Sequence, residues 1–378
     1  MSRRIRKHEW DKKFLWVTII LVAVGLITFI STSLGVFTEN RDQFWAMMIR
    51  HVGMGVFGGL GVMYGFSHIH FSFWKKMAPY IFGAGIIITL LVFSPLGFSH
   101  GGARRWISLG FISFQPAELL KFAVIVFFSA WFAQYRDKIK EWKYGLLPFL
   151  GFLGVALGTL IKQPDSGSLA LIGLTAFILY WLRGAPWKHI GATILLGVIF
   201  VGAYVWANPY IIDRIKTFSD PNIDPYGSSY QIRQSRIAIG SGGLYGRGLG
   251  QSVHKFGPYL PESSSDSIFA IFAEEYGFIG GVVLISLYTL FAFFGLRIAR
   301  YAPTLFTQNL VVGIILLIVI QVFFNIAAIS GLVPLSGLPL IFMSNGGTAL
   351  VVTLAEIGIV LGISRYTKKP LKKRKRVV

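Results

Sequence analysis

Four carboxylates gather in one short stretch of this chain, GPYLPESSSDSIFAIFAEEYGFIGG, which begins at Gly257. Glu262, Asp266, Glu274 and Glu275 stand beside or inside a strongly apolar run, in a sequence with only 14% charged residues. An ionisable group within a hydrocarbon slab costs about 2.5–3.5 kcal/mol on insertion scales, which makes each one a functional candidate. Asp266 is the foremost of the four, and two chemistries fit its place between three serines and the apolar SIFAIFA. As a cap, its carboxylate would accept from free N–H groups of the first helical turn. As a base, it would take a proton from an attacking hydroxyl. At helical spacing Asp266, Ala270 and Glu274 share one face, and small Ala270 leaves space between two carboxylates.

Other residues extend that chemistry. Glu118 and Lys121, in QPAELLKFAVI, are three apart on one helical face and can form an ion pair. Such a pair within a span marks a packed polar interior. In GGARRWISLG, Trp106 suits an interfacial anchor, whereas Arg104 and Arg105 have the planar donor fork that grips phosphate, a pyrophosphate included. The segment IKQPDSGSLA breaks a helical pattern, so Asp165 or Ser166 can cap the next helix. Lys162 and Asp165 could equally add polarity to an outward cavity. The glycine-rich GSGGLYGRGLGQS, with Arg247 inside it, lacks the GK[ST] ending of a phosphate-cradling loop, which argues against nucleotide binding. His68 and His70 have no acidic or cysteine companions, and the chain has no cysteine, so thiol chemistry and disulfides are excluded.

The elements that must position these groups are membrane spans. With 54% hydrophobic residues and charges crowded into tails and loops, the chain is expected to be an all-α, polytopic integral membrane protein. Apolar runs predict about ten transmembrane helices, near 14–36, 44–66, 78–96, 116–134, 145–162, 168–183, 189–207, 267–296, 306–329 and 342–364. Lys75, Lys76, Arg136, Lys138, Lys140, Lys143, Lys188, Arg297 and Arg300 fall in alternate loops, which places those loops and both termini inside by the positive-inside rule. The segments 97–115, 163–167, 208–266 and 330–341 are then outside. Residues 208–266 form one large extracytoplasmic loop, far above the usual connection length. The basic ends, 1–13 and 365–378, are read as cytoplasmic tails of a single membrane domain over 1–378, the first span being retained rather than cleaved. A net charge of +20 in so apolar a chain points to anionic membrane lipid and not to nucleic acid.

In their order along the chain, GARRWISLGFISFQPAELLK, QPDSGS, DPYGSSYQIRQS, GSGGLYGRGLGQS, YLPE with the later FAEEYGFIGG, and QVFFN with GLPLIFMSNGGT resemble the SEDS family of peptidoglycan polymerases. The stretch GLGQSVHKFGPYLPE is similar to the cell-division branch, FtsW, with the elongation branch, RodA, second. The resemblance implies polymerisation of lipid II into β-1,4 glycan strands at the outer face of a bacterial cytoplasmic membrane, at the division septum. Asp266 matches the family's aspartate and would act as base, or hold a divalent cation, Mg or Mn; no organic cofactor is implied. Two departures stand out. Ser264-Ser265-Asp266-Ser267 replaces His-Thr-Asp-Phe, and Ser344-Asn345-Gly346-Gly347 replaces Ser-Tyr-Gly-Gly. Arg104, Arg105, Trp106, Lys121, Lys162, Asp165, Arg247 and Glu262 are expected to bind substrate. Glu118, Lys121, Glu274, Glu275, Gln321 and Asn325 are expected to form a polar network. Implied partners are lipid II, the growing glycan, a class B penicillin-binding protein and other divisome proteins. A lipid II flippase and a non-catalytic division scaffold are the rival readings.

Overall fold

The computed structural model describes residues 8–100, 103–108, 113–220, 229–260 and 263–367. Its helices run α1 (Lys12–Glu39), α2 (Arg41–His68), α3 (Phe71–Phe93), α4 (Pro116–Gln134), α5 (Leu146–Ile161), α6 (Ser166–Leu182) and α7 (Trp187–Ala207). They continue as α8 (Pro209–Ser219), α9 (Tyr230–Ser241), α10 (Ile268–Arg300), α11 (Leu305–Ile329) and α12 (Gly347–Ser364). Eight of these have the length and hydropathy to cross a membrane, which makes the chain a polytopic membrane protein. The remaining two predicted positions hold α5 and α6, of 16 and 17 residues, shorter than the usual crossing length. The expected count of ten therefore does not follow from length alone.

Sequence patterning missed one element. Residues 97–114 contribute three antiparallel strands, β1 (Gly97–His100), β2 (Ala103–Ser108) and β3 (Ser113–Phe114), in a β1-β2-β3 sheet on the otherwise helical bundle. The segment is short and glycine-rich, and its strands are too brief to show a period. The large loop 208–266 also carries two helices of its own, α8 and α9.

The bundle is tight where glycines let backbones meet. α12 lies against α2 with Gly358 and Gly362 one turn apart, and a Cβ on Gly362 would stand 2.9 Å from the Ser67 carbonyl oxygen. Small residues at that spacing let two helices approach closely where no water drives them together. α4, α6, α10 and α12 pack on the strongly apolar α11, most of which is buried. α7 is peripheral, with His189, Ile190 and Tyr204 its buried residues.

α10 is broken at Gly277, whose φ of 66° and ψ of −163° leave helical space. The break frees backbone groups that cannot go unpaired in a membrane. The glycine-rich loop supplies the partners. Arg247 N–H donates to the Glu274 carbonyl at 2.9 Å and Gly248 N–H to that of Glu275 at 3.0 Å. In return, Phe278 N–H reaches the Gly243 carbonyl at 2.9 Å and Ile279 N–H that of Leu244 at 3.2 Å. Only glycine fits the contact, since a Cβ on Gly246 (φ 80°) would lie 2.7 Å from the Gly277 nitrogen.

Candidate active site

A cleft of about 1290 Å³ lies between the sheet, α2, the α12 N-terminus and the turn before α10. Among the described residues lining it, Asp266 is the single carboxylate, while Arg50, Arg105 and Arg214 are its cations.

The turn that carries Asp266 is clamped by its main chain. Asn325, on α11, donates to the Asp266 carbonyl at 2.9 Å and to the Leu338 carbonyl at 2.7 Å. Ser344 Oγ donates to the Ser265 carbonyl at 2.6 Å, and the Asn345 N–H to that of Ser264 at 2.7 Å. The two segments that depart from the family pattern therefore bond to each other. The helix begins one residue later than expected: Ser267, not Asp266, occupies the N-cap of α10, and Gln231 holds its hydroxyl at 2.9 Å. Gly337, at φ 68°, leaves the space beside the carboxylate open, since a Cβ there would sit 3.8 Å from Asp266 Oδ2.

The shared face of Asp266 and Glu274 does not make one two-carboxylate cavity. Glu274 is fully buried against the glycine loop, accepting from Ser252 Oγ at 2.6 Å, with His254 Nδ1 at 3.0 Å and Arg247 Nε at 3.4 Å. Arg247 is thus engaged in holding its loop to α10, away from the cleft. Glu275 pairs with Lys255 Nζ at 2.9 Å, both side chains fully buried, and accepts from Ser31 Oγ at 2.7 Å. These two carboxylates rivet the second half of the large loop to α10 and α1.

The expected polar network is in fact several separate clusters. Lys121 Nζ lies 2.7 Å from Glu118 Oε2 and donates to Gln321 Oε1 at 2.9 Å, all three buried between α4 and α11. Gln321 also donates to the Pro339 carbonyl at 3.0 Å. Lys121 therefore stands beneath the cleft and supports its wall instead of lining it. Asn325 belongs to the Asp266 clamp.

The paired arginines of β2 have different duties. Arg104 is turned to its own stem, donating to the carbonyls of Ser94 at 2.6 Å and Gly97 at 2.9 Å. Arg105 lines the cleft and donates to the Gln163 carbonyl at 3.2 Å and to that of Pro164. Trp106 also lines it, paired across the strands with Phe98. Asp165 is buried as the cap of α6, accepting from Ser168 N–H at 3.1 Å and Gln115 Nε2 at 3.2 Å. Lys162 is exposed at the end of α5. Glu262 lies outside the described residues.

Three charged residues escaped the sequence reading. Arg50 sits in a π-helical stretch of α2, and Arg214 on amphipathic α8 reaches the Leu335 carbonyl at 2.7 Å. Glu356 is buried on α12, within electrostatic reach of Glu118 and Lys121, and its Oε1 has no hydrogen-bond partner. Arg50 and Glu356 both fall inside predicted spans, where any ionisable residue is a signal.

Residues 12–369 match the model of the cell cycle protein family named for FtsW, RodA and SpoVE. The chain belongs to the SEDS family. It is 35% identical over 366 residues to the stage V sporulation protein E of Bacillus subtilis (strain 168), covering 96% of this chain and 99% of that one. To the probable peptidoglycan glycosyltransferase FtsW of Geobacter sp. (strain M18) it is 33% identical, covering 95% and 98%. To the peptidoglycan glycosyltransferase MrdB of Escherichia coli (strain K12) it is 34% identical, covering 96% and 97%. Among solved structures, a chain of a peptidoglycan synthase complex that coordinates polymerization and crosslinking shares the fold with a TM-score of 0.77 at 24% identity, covering 96% of this SEDS chain and 99% of that one. The rod shape determining protein RodA of Thermus thermophilus matches at a TM-score of 0.68 and 25% identity, covering 96% and 98%.

Proposed function

We propose that this SEDS protein polymerises lipid II at the outer face of a bacterial cytoplasmic membrane, with Asp266 as the base. The 4-hydroxyl of a GlcNAc attacks the anomeric carbon of a lipid-linked MurNAc. A β-1,4 C–O bond forms, and the bond from that carbon to pyrophosphate breaks. The bonding pair leaves with undecaprenyl pyrophosphate, and the hydroxyl proton passes to Asp266. The cleft supports this reading by its charge: one carboxylate among three arginines. A single displacement needs one base, and an anionic leaving group needs cations instead of a second acid. Arg50, Arg105 and Arg214 are placed to supply that charge, and Arg104, engaged by its own stem, is not.

Among the described residues no group of three or more His, Cys, Asp or Glu could cage a metal. A hard cation such as Mg²⁺ or Mn²⁺ shared between one carboxylate and substrate phosphates still fits this donor set, and Asp266 would hold it. When bound, it would neutralise pyrophosphate charge.

The distribution of basic loops supports an orientation with both termini in the cytoplasm. The SVHK–YLPE stretch supports a role in division, with a class B penicillin-binding protein as the cross-linking partner. Purified protein and its transpeptidase, incubated with lipid II in detergent, test the reaction. Because a positioned general base contributes roughly 10²–10⁴-fold, Asp266→Asn should lower the polymerisation rate at least about a hundredfold while preserving fold and partner binding. Near-native polymer formation by that variant would remove Asp266 from the chemistry.

A further inference from the structure

Asn345 brings an unengaged side-chain amide to the wall of the cleft that holds Asp266, the single carboxylate among its described lining residues. Asn345 lines the cleft half-buried, and its main-chain N–H is fixed to the Ser264 carbonyl, two residues before Asp266. The next residue back, Ser344, is fixed to the Ser265 carbonyl through its hydroxyl. The Asn345 backbone is thereby set at both sides, while its side chain makes no hydrogen bond within the described protein. Ser264 and Ser265 line the same cleft. Arg105 and Arg214 also line it while donating to carbonyls of the 163–164 turn and of Leu335.

An amide offers two donors and one acceptor in a plane, and its natural complement is another amide. A charged phosphate is matched better by arginine, whereas an acetamide N–H and C=O can both be met by one planar amide. We propose that Asn345 is a specificity residue that pairs with the N-acetyl group of the amino sugar whose hydroxyl faces Asp266. This assignment deepens the polymerase reading and rests on it. Asn345 touches substrate in this scheme but moves no proton, so it acts on binding and not on the chemical step.

The test uses full-length protein in detergent and two probes of equal charge. One is lipid II, and the other is lipid II with glucose replacing GlcNAc, which lacks the acetamide and keeps the remaining hydroxyls. Equilibrium binding of both is measured for the native chain, Asn345→Ala and Asn345→Ser; polymer formation is measured separately. The native chain should prefer lipid II by about five- to tenfold, the worth of one or two neutral hydrogen bonds. In the variants that preference should fall to within about twofold, because lipid II binds more weakly and the glucose probe hardly changes. With Asn345→Ala, KM for lipid II should rise while kcat stays within about twofold. Should Asn345→Ala fail to fold, Asn345→Ser, which restores a short polar side chain, decides alone. An undiminished preference in the folded variants overturns the assignment. A preference lost on substitution, with no polymer formed even by the native chain, would overturn the polymerase reading and leave the amide contact standing.

Discussion

Replacing Lys121 with methionine tests the charge cluster beneath the cleft most directly. The ammonium lies 2.7 Å from Glu118 Oε2 and 2.9 Å from Gln321 Oε1, with its side chain 2% exposed. At that separation and an effective dielectric of about 20, the attraction to Glu118 is about 6 kcal/mol, and desolvation of both charges cancels much of it. What survives on removing one partner of a buried pair is about 3–5 kcal/mol of destabilisation. A third ionisable group breaks the symmetry between the partners. Glu356 is within electrostatic reach of both. Glu118→Gln leaves Lys121 with Gln321 and Glu356 as neighbours, and should cost about 1–3 kcal/mol, the range for losing one charged hydrogen bond. Lys121→Met leaves Glu118 beside a second buried carboxyl group and no cation, and should reach the upper end of the pair-breaking range. The double variant removes that conflict and should be more stable than Lys121→Met alone. Thermal unfolding in detergent, followed by tryptophan fluorescence, gives the order: native, then Glu118→Gln and the double variant, then Lys121→Met. Simple additivity of the two single changes, or Lys121→Met as the mildest of the three, would refute this account of the cluster.

Arg105→Ala should raise KM for lipid II about tenfold, the scale of one charge-assisted contact, whereas Arg104→Ala should lower the unfolding midpoint and leave KM within about twofold; equal effects on KM would return both arginines to one role. Gly246→Ala should destabilise the loop against α10 and expose residues 241–255 to protease. Gly184→Ala has a similar φ of 85° but open space around its Cβ, and should show only the backbone strain of about 1–3 kcal/mol. Matching effects at the two glycines would mean that the close approach to Gly277 has no weight.

The membrane architecture was legible because crossing a bilayer imposes a length and a composition that any reader of the chain can see. Arg50 and Glu356 were legible by the same rule, as ions inside apolar runs, yet a run is read for its hydropathy and single charges within it are easily passed over. Arg104 and Arg105 could not be told apart by type. Only the register of β2, with Ser99 opposite Arg104 and Phe98 opposite Trp106, turns one guanidinium to the stem and leaves the other in the cleft. The glycine-rich loop was visible as a pattern, but its purpose depends on a helix break about thirty residues later, and the bonds that satisfy the break run from main chain to main chain.

The site itself shows the deeper limit. Asp266 stands out by type and position, but what fixes it is a set of hydrogen bonds to the carbonyls of Ser264, Ser265 and Asp266. Every residue has a main-chain carbonyl, so those acceptors leave no trace in side-chain identity. Of the donors, Asn325 and Ser344 are visible as polar side chains, whereas the third is the main-chain N–H of Asn345; the family resemblance implies a polar role for Asn325 without naming its partner. A buried amide with a neutral acceptor nearby is stabilised by about 1 kcal/mol per bond, and unpaired it would cost about 1–3 kcal/mol. The clamp is therefore held as much by the penalty of leaving Asn325 unbonded as by the bonds it makes. Displacing the Asp266 turn would release both costs on α11, which ties the placement of the carboxylate to a largely buried helix of the bundle.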